Sequence, residues 1–228
     1  MPASLDLIIF DCDGVLVDSE VLSGRAVAEA LAAIGHPVSL ESLIERFLGM
    51  SNKDMYAALE RERDGALPAD FDAQMNRLAT ALFERELRPM HGLESALAAL
   101  AEPRCVASSS APAMLARKLA WTDLAPWFGD AVFSTAEVAR GKPAPDIFLH
   151  AAGRMGATPA RALVIEDSPL GIAAAKAAGM IAVGFTGGSH CRAGHGERLA
   201  AAGADLVFAE MSELPKLVAD VVARTITV

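Results

Sequence analysis

The stretch "LIIFDCDGVLVDSE" sets two carboxylates, Asp11 and Asp13, directly after four apolar residues, Leu7 to Phe10. Two residues apart in extended chain, their side chains point to the same side. Each makes the other harder to ionise, and burial adds to that cost. Such a pair needs a cation beside it, or its repulsion is part of a mechanism. Gly14 then allows a sharp turn. A second acidic pair, Glu166 and Asp167, ends another apolar run in "LVIEDSPLGIAAAKAAG". In "ASSSAP", Ser108 and Ser109 offer a hydroxyl and backbone N–H groups just before Pro112, a residue suited to the first turn of a helix. That arrangement can hold phosphate oxygens. Lys142, in the proline-rich "ARGKPAPDIF", can reach both the carboxylates and a phosphate.

Taken singly, each signal has a plainer meaning. Serines before a helix are commonly caps, a loop lysine is commonly solvated, and acids near a helix start are favoured by its dipole. Asp-x-Asp-Gly also opens calcium loops, but here no alternating oxygen ligands follow and no Glu closes a twelve-residue loop.

These residues fall at the ends of short apolar runs that read as buried parallel strands: 7–10, 105–107, 131–133, 162–165, 181–185 and 205–208. Helical patterns such as "PAMLARKLAW" and "PDIFLHAAGRM" lie between most of them. The alternation predicts a doubly wound α/β parallel sheet, whose ligands bind beyond the carboxyl ends of the strands. From Asp18 to about Arg88 only helical periodicity appears, as in Val27, Ala30, Leu31 and Ile34, or Phe71, Met75, Leu78 and Leu82. Breaks at "GHP", "GMSN" and "DGALPAD" divide the interval into about four helices. The expected division is an α/β core of residues 1–17 and 89–228 with a helical cap of residues 18–88 inserted between.

The 228 residues are 53% hydrophobic and 21% charged, ordinary for a globular protein of one domain with an insertion. A net charge of -9 argues against a general nucleic-acid surface. Three cysteines without CxxC spacing suggest thiols in a reducing compartment. The N-terminus lacks a basic start, and Asp6 and Asp11 interrupt its apolar run, so it does not read as a signal peptide. No uncharged run reaches membrane-spanning length. A cytoplasmic monomer acting on a small molecule, with no nucleic-acid or membrane partner, is the expectation. "GGSHCRAGH" reads as a glycine-rich surface loop, with zinc binding through His190, Cys191 and His195 as the alternative.

Together and in order, "DCDGVLVD", "SSS", "GKPAP" and "VIEDS" resemble the haloacid dehalogenase superfamily of phosphoryl-transfer enzymes, within it the β-phosphoglucomutase-like sugar phosphatases and mutases. The resemblance implies that Asp11 is the nucleophile and Asp13 the general acid and base. It implies Mg²⁺ held by Asp11, Asp167 and the backbone carbonyl of Asp13, with Glu166 as direct or supporting ligand, and Ser108 and Lys142 on the phosphoryl oxygens. Repulsion from the neighbouring acids is expected to keep Asp13 protonated. Dehalogenases and phosphonate-cleaving relatives lack an aspartate at the place of Asp13.

Mutases of this group carry a histidine in the first cap helix and a basic pair in the next cap loop; here the matching positions are Ser23, Leu48 and Asn52. Hydrolysis of a sugar or sugar-acid phosphate is therefore expected ahead of mutase action. Glu20, Ser23, Arg25, Asn52 and Lys53 are the cap residues from which substrate contacts would come. Receiver-type signalling domains share an aspartate, Mg²⁺, a hydroxyl and a lysine, but have neither the cap nor the second acid.

Overall fold

The computed structural model describes residues 5–47, 50 and 52–225. Six strands, β1 (Leu7–Phe10), β2 (Arg104–Ser108), β3 (Val132–Ser134), β4 (Ala162–Glu166), β5 (Ile181–Phe185) and β6 (Leu206–Phe208), form one sheet. Their order is β3-β2-β1-β4-β5-β6, and every pairing is parallel. The chain moves outward from β1 through β2 to β3, then returns to the other side of β1 for β4. The crevice at this reversal lies above the end of β1. The expected strands are all present, with ends shifted by one residue at β2, β3, β4 and β6.

Side-chain alternation along the strands supplies two cores. Ile8, Phe10, Val106, Leu163, Ile165 and Val183 face one side, and Leu7, Ile9, Cys105, Ala107, Val164 and Ala182 the other. The first face packs against α5 (Leu93–Ala99), α6 (Pro112–Trp121), α7 (Ala125–Phe128) and α11 (Leu214–Thr225). Phe10 meets Phe128 edge to face, with ring centroids 5.9 Å apart. The second face packs against α8 (Asp146–Met155), α9 (Pro169–Ala177) and α10 (His195–Ala201). With β1 buried on both faces, its apolar run needs no alternation of polarity, and Asp11 beyond it emerges in a dry environment.

Between β1 and β2 stand α1 (Glu20–Ala33), α2 (Leu40–Phe47), α3 (Asn52–Arg63) and α4 (Phe71–Glu86). Leu22, Ala26, Val27, Ala30 and Leu31 line the buried side of α1. They meet Phe71, Met75, Ala79, Leu82 and Phe83 of α4 in the same apolar cluster that covers the first face of the sheet. Two chain segments join these helices to the sheet, and they run side by side. Asp18 N–H donates to Arg88 O at 3.1 Å, Met90 N–H donates to Leu16 O at 2.9 Å, and Val17 pairs antiparallel with Pro89. No helix among the described residues is long and apolar enough to cross a membrane.

Candidate active site

The end of β1 carries the first two acids into the crevice. Asp11 extends the ladder, its N–H donating to Ile165 O at 3.0 Å, and its side chain is buried. The chain then folds back, with Leu16 and Val17 N–H groups both donating to Cys12 O. Gly14 has a φ of +76°, and a Cβ placed on it would stand 1.9 Å from Asp167 Oδ2. Glycine is required there for conformation and for space. Cys12 packs into the apolar core, away from the acids.

Each acid of the pair has its own lysine. Lys142 donates to Asp11 Oδ1 at 2.5 Å, Glu166 Oε1 at 2.6 Å and Ala107 O at 3.3 Å, which uses all three ammonium hydrogens. Burial works to lower its pKa, but Asp11 and Glu166 outweigh burial and raise it. The other oxygen of Glu166 accepts from the N–H and hydroxyl of Ser168, at 3.0 and 2.9 Å. Ser168 in turn caps α9 by accepting from Gly171 N–H at 3.0 Å. A Cβ at Gly171 would come within 1.9 Å of the Glu166 carboxylate, so the helix approaches this closely only with glycine there.

Asp13 meets a different set. Lys118, from α6, ion-pairs with Oδ1, which also accepts from the Ser19 hydroxyl at 2.5 Å. The Ser110 hydroxyl donates to Oδ2 at 2.7 Å, and the Ser134 hydroxyl holds the Ser110 carbonyl at 2.7 Å. Lys118 Nζ also lies 4.8 Å from the centre of the Phe83 ring, so one ammonium joins α6, the strand end and α4.

These surroundings push the carboxylates apart. Burial would raise Asp13, but Lys118 and the two hydroxyls prevail and hold it below the ordinary carboxylate value. Asp11 stands well above that value, raised by burial and by Glu166, Asp167 and Asp13 despite Lys142. Asp167 is raised in the same way, by burial and then by Glu166. Glu20, at the start of α1, is pushed up to about 8 by burial and by Asp167 and Asp13.

The donor set fits a hard divalent cation. Asp11, Asp13, Glu166 and Asp167 are four carboxyl groups against the two ammonium groups of Lys118 and Lys142, an excess of two acids over buried lysines. The raised Asp11 and Asp167 are where that excess is felt, and all their donors are oxygen.

A family model for haloacid dehalogenase-like hydrolases matches residues 5–179. The chain belongs to that family. Among curated relatives, the 6-phosphogluconate phosphatase of Escherichia coli is 28% identical over 187 residues, 82% of this chain and 85% of its own length. The β-phosphoglucomutase of Bacillus subtilis is 32% identical over 222 residues, 91% of this chain and 90% of its own. A solved haloacid dehalogenase-like protein of unknown function from Agrobacterium tumefaciens superposes with a TM-score of 0.87 at 40% identity, covering 96% of this chain and 99% of that one.

Within this haloacid dehalogenase-like frame, Asp11, Asp13, Lys142, Glu166 and Asp167 converge as the sequence predicts. Several details differ. Glu166 has both oxygens engaged by Lys142 and Ser168, which makes it the brace of the lysine and of α9 rather than an open metal ligand. Asp13 is not kept protonated by its neighbours, because Lys118 supplies an unforeseen cation. The Ser108 hydroxyl accepts from Ser110 N–H at 3.0 Å inside its own turn, Ser109 is exposed, and it is Ser110 that reaches an acid.

In the cap, Glu20 approaches the acids, whereas Arg25 is spent on Glu86 of α4 at 2.5 Å. Ser23 donates its N–H to Ser19 O within α1, and Asn52 is exposed at the start of α3. Leu48 and the side chain of Lys53 lie outside the described residues. "GGSHCRAGH" keeps Gly187, Ser189, Arg192, Ala193 and Gly194 exposed, as expected of a surface loop, but His190 and His195 turn inward and are buried beside Asp167.

Proposed function

We propose that the protein is a Mg²⁺-dependent phosphatase of a small phosphorylated metabolite, a sugar phosphate or sugar-acid phosphate, acting through an aspartyl phosphate on Asp11. The observation that carries this reading is the division of one acidic pair between two buried lysines, with two further acids, Glu166 and Asp167, gathered at the same strand ends. When bound by Asp11, Asp167 and the Asp13 carbonyl, Mg²⁺ would neutralise that excess and the charge of the phosphoryl oxygens.

Asp11, ionised once the excess is neutralised, attacks phosphorus; the P–O bond to the substrate alcohol breaks as the Oδ–P bond forms. Lys142, exchanging its 3.3 Å contact with Ala107 O for the substrate, and the Ser108–Ser110 turn hold the equatorial oxygens, where the charge of the transition state is spread. Asp13 is a carboxylate in the resting site. A phosphate dianion entering beside it raises its pKa, so it takes up a proton and passes it to the leaving alkoxide. Left again as a carboxylate beside Lys118, it accepts a proton from the water that opens the acyl phosphate. Residues 18–88 would act as the cap that shields this intermediate and shapes the substrate pocket.

Similarity to a β-phosphoglucomutase over nine-tenths of both chains supports mutase action as the second reading. Ser23 and Asn52 carry no charge with which to grip a second phosphate, which favours water as the acceptor. A panel of phosphate monoesters with Mg²⁺ should release inorganic phosphate from sugar or sugar-acid phosphates. β-Glucose 1-phosphate with bisphosphate activator should give phosphate faster than glucose 6-phosphate. Isomerisation outrunning phosphate release would replace the phosphatase by a mutase.

A further inference from the structure

The segment after β5 gathers three side chains of metal-ligating type that the proposed reaction does not use. His190 and His195 are each 1% exposed, Cys191 is half-buried, and one donor atom from each lies within 4.8 Å of the others. His190 is poorly supplied with hydrogen bonds for so buried a ring. Its Nδ1 has no partner, and its Nε2 has a weak one, Cys191 Sγ at 3.3 Å. With the thiol donating to the Nε2 lone pair, the ring proton sits on Nδ1. Burial of a polar ring on one weak hydrogen bond is costly unless something else bonds it.

His195 is held as a ligand would be. Its Nε2 donates to the Asp167 carbonyl oxygen at 2.6 Å, because a carbonyl only accepts, and Nδ1 accepts from Arg198 at 2.9 Å. Metal-bound histidines commonly fix their second nitrogen on a backbone carbonyl in this way. Arg198 is exposed, so its guanidinium can turn to solvent and free the Nδ1 lone pair.

One sulfur and two imidazole nitrogens suit Zn²⁺, whereas Mg²⁺ takes oxygen donors. Donor atoms on a tetrahedral zinc stand about 3.3–3.6 Å apart, and Cys191 and His190 already have that separation. Asp167 Oδ2, 3.0 Å from His190 Nε2, adds negative charge beside the ion. The exposed neighbours Arg192, Ala193 and Gly194 leave it a way in.

We propose that His190 Nε2, Cys191 Sγ and His195 Nδ1 form a site for one Zn²⁺, with water as the fourth ligand, separate from the oxygen donors of Asp11 and Asp167. As the ion enters, the Cys191 thiol proton passes to solvent and a sulfur–zinc bond takes its place. Nε2 gives zinc the lone pair it gave the thiol, and Nδ1 keeps its hydrogen. The same segment reaches the cap linker, because Ser189 donates its N–H and hydroxyl to Asp18 Oδ1 at 3.1 and 2.8 Å. Zinc would therefore stiffen a segment joined both to Asp167 and to the cap. The site stands independently of the phosphatase reading.

The test uses the full chain, stripped with a chelator and reloaded with Zn²⁺, or with Co²⁺ as a coloured probe, while excess Mg²⁺ fills the oxygen site. Wild type should take up one equivalent of Zn²⁺, melt at a higher temperature with it, and give a thiolate-to-cobalt charge-transfer band with Co²⁺. Cys191→Ser should bind Zn²⁺ on the order of 100-fold more weakly and lose the band. Cys191→Ala makes the same comparison should the serine disturb folding. Absence of the band in wild type, zinc displaced by Mg²⁺, or a band that survives in both Cys191 variants would each overturn the site.

Discussion

At the strand ends of the core, the charged side chains are buried and each meets a partner on a different element; in the cap, the charged side chains pair with one another at the surface. Lys142 and Lys118 are more deeply buried than Asp11 and Asp13, the aspartates they hold. Arg25 and Glu86 join α1 to α4 while both remain about a third exposed, and Arg46 pairs with Glu62 in the same manner. Opposite charges in a dry crevice set each other's protonation state and are worth far more than in water. Surface pairs contribute between nothing and about 1 kcal/mol each. Chemistry is thus built into the core, whereas the cap uses its charges to dress a helical bundle. The cap's influence on the reaction is concentrated where it dips into the crevice, at Ser19, Glu20 and Phe83.

Asp11→Asn offers the strongest break of this contrast. It removes the proposed nucleophile but keeps size and polarity, so turnover should fall by on the order of 10³-fold or more while far-ultraviolet circular dichroism and the melting transition stay native-like. Appreciable residual turnover would mean that the buried cluster is structural.

Lys118→Met should cost less and inform more. Burial already opposes ionisation of Asp13, and Lys118 is the main force against it. Without the lysine the pKa of Asp13 rises, so the acid limb of the kcat/KM profile should move to higher pH, with roughly a 10²-fold loss at the optimum. A lower rate with an unmoved acid limb would show that Lys118 shapes the pocket without tuning Asp13.

The smallest effect belongs to the cap. Arg25→Ala breaks only the surface pair with Glu86, so the melting free energy should drop by about 1 kcal/mol or less, with KM for the best substrate nearly unchanged. A large rise in KM would bring Arg25 back as a substrate contact.

The same contrast decides what could be read in advance. The strand ends were legible because an apolar run buried on both faces has few reasons to end in acids, and two such ends, with a serine turn after a third strand and a lysine loop after a fourth, point to both sheet and crevice. Lys118 leaves only a faint trace in the sequence: it falls with Leu115 and Leu119 on the buried side of α6, a place where a lysine is costly without an anion. The choice of Ser110 over Ser108 and Ser109 depends on how the turn after β2 folds, which residue types alone do not determine. His190 and His195 hid in a segment whose glycines suggested solvent. Two of those glycines serve close approach, since a Cβ at Gly187 would stand 2.2 Å from Ala209 O and one at Gly188 2.5 Å from the His190 ring. Cap residues were the least legible, because whether Arg25 faces substrate or Glu86 is settled by the packing of α1 on α4.

The paired linkers have a wider implication. The chain leaves the sheet at Val17 and comes back at Pro89, two residues bridged to each other. Everything between them hangs from a single doorway, so its length and sequence place little demand on the register of the strands. Such an insertion is a cassette: exchanged for the corresponding helices of a relative, it would give a chimaera that inherits this molecule's reaction centre and the donor's taste in substrates.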